Sequence, residues 1–346
     1  MMRLSKCLFL YLFFFLMIAC ERQLLYDACK HKTALIPVKI DWIYSGINPE
    51  LADEDDFVHK VSFRFFPKDG GQPFELYLEG NVHEGYLEVP IGDYDLLVMN
   101  ESVIEDYWKE FVSFSDINHF EGISAEIKAM DPTPFEFYKA AVDEKFVADM
   151  PKMASWSVRD YSITFETVND TRKNESSDRQ KHALHVPMQR LTHDCKVIAT
   201  VKNLKYAQLM RGAQRLFANK VYLSSRKTYA SPATHLFTLN GRKTINGSLT
   251  DGTTERIFRT FGILPVPAQY TLGVDIILTD GCRYVPSDGG KLEYNVTDYV
   301  NSYFGKSLED RLLKDYIEIP LFFSLPQVDG GIDVGDWGDD EDIIIK

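Results

Sequence analysis

Cys20 is the residue whose surroundings most clearly predict a chemical reaction. A cysteine that becomes the first residue of a mature chain can carry lipid on its thiol. Arg3 and Lys6 form a short positive segment, and an apolar run from Cys7 to Ala19 follows it. That run is shorter than the roughly 20 residues needed to span a hydrocarbon core. It therefore predicts a signal peptide over residues 1–19, cleaved between Ala19 and Cys20.

The residues around this cleavage point favour lipidation. Met17-Ile18-Ala19-Cys20 resembles the bacterial lipobox, with Met17 in place of the usual leucine. An ordinary secretory signal, in which Cys20 is incidental, is the alternative. Each buried CH₂ group contributes about 0.8 kcal/mol, so several acyl chains on one cysteine give durable attachment. We therefore expect the mature chain to be anchored to a membrane by the lipid on Cys20.

Other candidate reactive residues do not form a recognisable catalytic motif. His193-Asp194-Cys195 has suitable residue types, but neighbours in a strand point to opposite faces, so a structural role is favoured. The sequence contains no His-Glu-x-x-His, no Gly-x-Ser-x-Gly and no phosphate-binding glycine loop. We expect neither enzymatic activity nor a cofactor.

The C-terminal segment, residues 329–346, is strongly acidic and has three interpretations. It is a solvated strand end that discourages edge aggregation, a strand that pairs within its own domain or is donated to a neighbour, or a calcium site. The spacing of the calcium candidates matches no EF-hand. The candidate strand residues are Ile332, Val334, Ile343, Ile344 and Ile345, and the calcium candidates are Asp333, Asp336 and Asp339.

Composition indicates a folded extracytoplasmic protein. The 346 residues are 45% hydrophobic and carry a formal net charge of -13. An acidic protein is repelled by nucleic acid and by anionic membrane surfaces, so neither is an expected partner. Apart from Cys7 and Cys20, the cysteines are Cys29, Cys195 and Cys282, which allow at most one disulfide.

Alternating apolar and polar residues predict a mostly β-structure. The pattern is present in Val38–Trp42, Val61–Phe65, Phe74–Leu78 and Gly92–Val98. Thirteen residues from Asn169 to Lys181 contain no apolar side chain and predict a linker. Repeated turn motifs, such as Val89-Pro90 with Tyr94 and Val266-Pro267 with Tyr270, favour two related sandwich domains. The predicted domains are residues 20–168 and 183–328, joined by 169–182 and followed by the tail 329–346.

Several of these motifs, taken in order, resemble the fimbrillin-type lipoproteins of Gram-negative anaerobes, in particular a subgroup of unknown function related to anchor and minor fimbrial subunits. The resemblance depends on the cysteine, on turn motifs and on the tail. These are Cys20, the strand ending at Asp41-Trp42, Phe63 to Gly71, Val89-Pro90-x-Gly92-x-Tyr94 and Gly330 to Trp337.

The resemblance implies two tandem transthyretin-like β-sandwich domains of the Ig-like, Greek-key kind. It also implies assembly by β-strand donation to other fimbrial subunits, or contact with a surface partner protein. In the family's shaft subunits, a trypsin-like protease removes the first strand by cutting behind an arginine. Here the first arginines after Cys20 are Arg22 and Arg64, and neither suits such excision. The resemblance therefore implies a lipid-retaining anchor or adhesin, attached to the cell outer membrane and exposed on the cell surface.

The alternative is a surface glycan-binding lipoprotein that serves a carbohydrate uptake system. Its aromatic platform would come from tryptophans, although dispersed tryptophans in a sandwich are more often buried in the core. The chain contains Trp42, Trp108, Trp156 and Trp337.

Overall fold

A computed structural model describes residues 33–47, 58, 60–101, 107–135, 145–147, 149–172, 176–245, 247–286, 292–313 and 316–328. They belong to two compact units. Unit 1 contains residues 1–41, 60–98 and 157–186, and unit 2 contains residues 42–59, 99–156 and 187–346.

These units differ from the consecutive domains expected from the sequence, because each is assembled from three separate segments. Residues 99–156 were expected in the N-terminal domain but belong to unit 2. The reason is a long-range pairing, in which Ser124, Ala125 and Glu126 pair with Tyr222, Val221 and Lys220. Pairing at this separation leaves no local sequence signal.

Unit 1 is built on a seven-stranded sheet in the order β3-β2-β5-β9-β10-β1-β4. Its strands are β1 (Thr33–Tyr44), β2 (Lys60–Pro67), β3 (Phe74–Glu79), β4 (Glu84–Pro90), β5 (Gly92–Met99), β9 (Ala154–Ile163) and β10 (Leu184–Arg190), with helices α1 (Phe165–Arg172) and α2 (Ser176–Gln180) between β9 and β10. The two ends of this sheet approach each other. A Cβ atom on Gly85 of β4 would lie only 2.7 Å from Leu78 Cδ2 of β3.

Unit 2 contains a four-stranded sheet, β15-β16-β11-β19, a five-stranded sheet, β18-β17-β12-β14-β8, and a small sheet, β13-β7-β6. Its strands are β6 (Val112–Ser115), β7 (Ser124–Ile127), β8 (Lys145–Val147), β11 (His193–Lys202), β12 (Ala207–Ala218), β13 (Lys220–Tyr222), β14 (Pro232–Thr238), β15 (Gly241–Thr244), β16 (Gly252–Thr260), β17 (Thr271–Leu278), β18 (Glu293–Asn295) and β19 (Tyr316–Ser324). The helices are α3 (Thr297–Phe304) and α4 (Leu308–Leu313), with 3₁₀ turns at Tyr107–Glu110, Thr133–Phe135 and Leu204–Tyr206.

The core of unit 2 lies between its two larger sheets. Val197 of β11, Phe258 of β16 and Ile319 of β19 share one buried cluster with Met210 of β12 and Leu272 of β17. Each is at most 1% exposed. Alternate residues of these strands therefore face a common interior, as in a β-sandwich.

The two units repeat one strand order. In unit 1, β3-β2-β5 and β10-β1-β4 are neighbours, and in unit 2, β14-β12-β17 and β19-β11-β16 occupy the same relative positions. The matching strands also follow the same order along the chain. The prediction of an all-β fold with two related sandwich units is confirmed.

The repeated Val-Pro and Tyr motif has the same structural role in each unit. The Tyr94 hydroxyl donates to the Pro90 carbonyl oxygen at 3.0 Å, directly before β5. Tyr270 is also buried, but its hydroxyl accepts from the backbone amide of Leu264, and β17 begins at the next residue. A buried tyrosine that fixes the backbone upstream of a strand is a tyrosine corner.

The polar run expected to be a linker is largely helical where the structure describes it. Residues 169–172 form the last half of α1, and residues 176–180 form α2. Thr171 is fully buried, and its hydroxyl donates to the Thr167 carbonyl oxygen at 2.8 Å. Tertiary contacts therefore order a segment whose own composition contains no apolar side chain.

Candidate assembly site

β1 is the first strand described, and its alternate side chains are buried in unit 1. Four are at most 7% exposed: Ala34, Ile36, Val38 and Ile40. One edge of β1 pairs with β4 from Thr33 to Lys39, and its other neighbour in the sheet is β10. Removing β1 would therefore leave a groove between β10 and β4, lined by apolar pockets at alternate positions.

Helix α1 holds the start of β1. The Leu35 amide donates to Thr171 Oγ1 at 3.2 Å. Arg172 donates from Nε to the Thr33 carbonyl oxygen and from Nη2 to Thr33 Oγ1, each at 3.0 Å. We did not anticipate these two residues, because they lie in the polar run and meet β1 only through the fold.

Arg64 lies inside β2, as the alternation predicted, and it is buried. Its Nη1 donates to Glu75 Oε1 of β3 at 3.0 Å, and its guanidinium lies 5.6 Å from the Phe66 ring centroid. Tyr77 Oη donates to the other oxygen of Glu75 at 2.8 Å. A protease must accommodate an extended arginine in its specificity pocket, so the folded chain does not present Arg64 as a cleavage site.

β19 is the last strand described and lies at the edge of its sheet. It pairs in parallel with β11 over nine residues, from Asp194↔Tyr316 to Lys202↔Ser324. Ile317, Ile319 and Leu321 face the core, while Phe322 is 74% exposed. Among the described strands, β11 is the neighbour of β19 and no strand is paired on its outer edge.

The residues predicted to carry the anchor and the tail function lie outside the described part of the chain. These are Ala19, Cys20, Ile332, Asp333, Val334, Asp336, Asp339, Ile343, Ile344 and Ile345. The predictions of lipidation, of a donor or pairing strand and of a calcium site therefore stay predictions. Within the ranges that the model covers, no group of three or more His, Cys, Asp and Glu side chains could hold a metal ion.

His193, Asp194 and Cys195 occupy the start of β11, and Asp194 points away from the other two. Burial, followed by the positive charges of Arg190 and Arg311, lowers the pKa of His193 to about 3. Burial raises the pKa of the Cys195 thiol. Asp194 accepts from Arg259 Nε at 3.1 Å instead of orienting the imidazole. A neutral histidine beside a protonated thiol has a structural role here.

The tryptophans within the described ranges do not form an exposed platform. Trp42 and Trp108 are at most 7% exposed, and Trp156 is half-buried. Trp337 lies in the tail, beyond those ranges.

None of the described helices is both long enough and apolar enough to cross a bilayer.

Solved structures with a similar fold include two candidate adhesins of Bacteroides. A candidate adhesin from Bacteroides ovatus is 15% identical, with 88% of this chain and 93% of that chain covered and a TM-score of 0.50. A candidate adhesin from Bacteroides thetaiotaomicron is 10% identical, with 85% and 92% covered and a TM-score of 0.50. At this identity the likeness shows the fold alone.

The fimbrial anchor protein Mfa2 from Porphyromonas gingivalis is similar over 84% of this chain and 90% of its own, at 12% identity and a lower TM-score of 0.43. No functionally curated protein matches this chain.

The family model that matches covers most of the chain. It describes a domain of unknown function, DUF5119, and extends over residues 19–238. The predicted resemblance to fimbrillin-type proteins of unknown function is confirmed. The chain therefore belongs to the DUF5119 family.

Proposed function

We propose that this chain is a non-enzymatic cell-surface subunit, an adhesin or fimbrial anchor, which stays attached to the outer membrane through a lipid on Cys20. Its partners are other fimbrial subunits or a surface protein. The fold shared with candidate adhesins of Bacteroides supports the surface role. The predicted signal peptide and lipobox support the anchor.

One observation carries the anchor proposal: Arg64 is buried in its pair with Glu75. A subunit that donates or loses its first strand must be cut between that strand and its lipid, or directly behind the strand. The first arginines after Cys20 are Arg22, two residues away, and Arg64. Since Arg64 is sequestered and β1 is held by α1, the chain is suited to keep both its first strand and its lipid.

The acidic tail is the segment that we propose pairs with another strand. It follows β19, whose outer edge faces no other described strand. Ile332, Val334 and the closing Ile343 to Ile345 supply apolar side chains for β-augmentation, either on this edge or in a neighbouring subunit.

The anchor proposal is tested on the protein produced in its native kind of cell. Outer membranes are isolated, and the N-terminal peptide of the mature protein is identified by intact mass and fragmentation, with Cys20→Ser as the matched control. We expect an acylated N-terminal cysteine followed by an intact β1 sequence. A mature species that begins at Gln23 or Phe65 and lacks lipid would overturn the proposal.

The tail proposal is tested by truncating the chain after Val328. We expect the truncated protein to keep the thermal stability of its folded units and to lose co-purification with the subunits that accompany the full chain. Unchanged co-purification would exclude the tail as a donor strand.

A glycan-binding lipoprotein serving an uptake system is the alternative function. It receives no support from the tryptophans of the described ranges, which are buried or half-buried. If the isolated surface fibres lack this protein, the alternative replaces the fimbrial proposal.

A further inference from the structure

The charges of this chain are unevenly distributed. The whole chain has a formal net charge of -13, yet the segment from Cys195 to Thr250 contains ten Lys and Arg residues and no Asp or Glu. Within it, residues 219–231 form a hairpin that carries Lys220, Arg226 and Lys227, which we name the basic hairpin.

Backbone hydrogen bonds hold the basic hairpin in one conformation. The Tyr222 amide donates to the Lys227 carbonyl oxygen at 2.9 Å, and the Tyr229 amide donates to the Lys220 carbonyl oxygen at 2.9 Å. At the turn, Arg226 adopts a left-handed φ of 56°. β13, the first arm, also pairs with β7. The side chains of the hairpin are therefore presented on a fixed backbone, which lowers the entropy cost of binding.

Two tyrosine rings lie beside these cations. The rings of Tyr222 and Tyr229 are 6.1 Å apart between centroids at an angle of 70°, and Lys220 Nζ lies 5.6 Å from the Tyr229 centroid. Tyr229 is 49% exposed, and Lys227 is exposed. A bound molecule can therefore touch an aromatic ring and positive charges together.

The cations of the hairpin are not neutralised by described acidic residues. In the part of the chain that the structure describes, Lys220, Arg226 and Lys227 form no salt bridge with Asp or Glu. Glu126, opposite Lys220 in the β13–β7 pairing, already accepts from Asn219 Nδ2 at 3.1 Å and pairs with Lys145. Partial burial of Arg226 lowers the pKa of its guanidinium, because burial destabilises the charged form. A bound anion would stabilise that charge. Positive potential at this site therefore remains for a ligand.

The combination of groups selects one ligand class. A neutral sugar needs an aromatic ring but no cation, and an acidic peptide needs cations but no exposed ring. A chain of anionic sugars uses both, because C–H faces stack on tyrosine while carboxylate or sulfate groups pair with Lys and Arg. We propose that the basic hairpin is a binding site for a polysaccharide that carries carboxylate or sulfate groups. The site does not depend on strand donation or on the anchor.

The test measures binding of the full mature chain to four probes: heparin, polygalacturonate, neutral dextran and a synthetic peptide of residues 329–346. We expect heparin or polygalacturonate to bind, dextran not to bind, and affinity to fall as sodium chloride is raised, because salt screens exposed charges. Tyr229→Ala is expected to weaken binding about fivefold, Lys227→Ala about threefold, and the double variant at least tenfold. Tyr299→Ala and Lys306→Ala, exposed residues in and after α3, are matched controls that should bind as the unaltered chain does.

Three results would overturn the proposal. One is absence of binding to both anionic polysaccharides at low salt. Another is unchanged affinity in the double variant, which would place any binding elsewhere. The third is tighter binding of the tail peptide than of either polysaccharide, which would make the hairpin a protein contact. Circular dichroism of each variant establishes that it remains folded.

Discussion

Arg172 makes two hydrogen bonds to Thr33, one to its carbonyl oxygen and one to its hydroxyl, each 3.0 Å long. They connect the last residue of α1 to the first residue of β1, across 139 positions of sequence. The first residue of β1 is thereby held by a segment whose composition is that of a linker.

Replacing Arg172 should loosen this end of β1. In Arg172→Ala we expect amide hydrogen exchange at residues 33–36 to accelerate about fivefold, the equivalent of about 1 kcal/mol, while exchange in β12 stays unchanged. Arg172→Lys, which keeps the charge but not the forked geometry, should give an intermediate rate. Equal exchange rates in all three proteins would show that the Arg172–Thr33 hydrogen bonds do not stabilise the start of β1.

The buried pair of Arg64 and Glu75 should be costly to break. Glu75→Gln leaves Arg64 without its counter-charge, and we expect unfolding in urea to show a loss of about 3 kcal/mol. An arginine-specific protease should then cut behind Arg64 in the variant but not in the unaltered chain. The double variant Arg64→Met, Glu75→Leu removes both charges and should lose less stability than Glu75→Gln alone. Equal losses would argue against a pair that stabilises through charge.

Acid should destabilise unit 2 through His235. This residue is 1% exposed and stacks on Phe258 at 5.0 Å, and burial lowers its pKa from 6.5 to about 3. The unfolded chain takes up a proton as pH falls through 6.5, whereas the folded chain does so only near pH 3. Stability is therefore complete above about pH 6.5 and falls by up to about 1.4 kcal/mol per pH unit below it.

Unfolding midpoints measured from pH 7 to pH 4 test this dependence. His235→Phe preserves the ring stacking and should flatten the pH dependence of stability. His193, whose pKa is also lowered to about 3, would maintain the remaining slope. His185→Gln alters an exposed histidine of β10 and serves as the control. A slope unchanged in His235→Phe would mean that other groups cause the acid sensitivity.

The tyrosine corner of unit 1 should tolerate neither loss of its hydroxyl nor a side chain at Gly92. Tyr94→Phe removes the bond to the Pro90 carbonyl oxygen, and we expect a loss of about 1 kcal/mol in the free energy of unfolding. In Gly92→Ala the new Cβ atom would lie 2.8 Å from Tyr94 Oη, so the corner must shift. The same Gly92→Ala change made in the Tyr94→Phe background, where the Oη atom is absent, should cost less. An equal loss in both backgrounds would remove the steric argument.

Regular strands were predictable from local pattern. The alternation in Val61–Phe65, Phe74–Leu78 and Gly92–Val98 lies within β2, β3 and β5. In contrast, Leu204 to Phe217 is ambiguous between helix and loop in sequence, yet most of it forms β12. A register shift between Gln214 and Phe217 and a φ of 69° at Leu216 interrupt that strand, so its pattern does not alternate throughout.

Features that depend on distant contacts were not predictable. Helix α1 in the polar run meets β1 through Thr171 and Arg172, and β13 of the basic hairpin pairs with the distant strand β7. For the candidate site, alternation correctly placed Arg64 in a strand. Its pairing with Glu75 follows from the β2–β3 register, which the sequence suggests but does not specify.

The parallel placement of β19 beside β11 determines when unit 2 can finish folding. Parallel neighbours cannot be joined by a tight turn. Here Cys195 pairs with Ile317, which is synthesised much later. Until Tyr316–Ser324 has emerged, β11 has an uncovered backbone edge. A chain that ends before β19 is therefore prone to aggregation, because this edge of β11 stays unpaired.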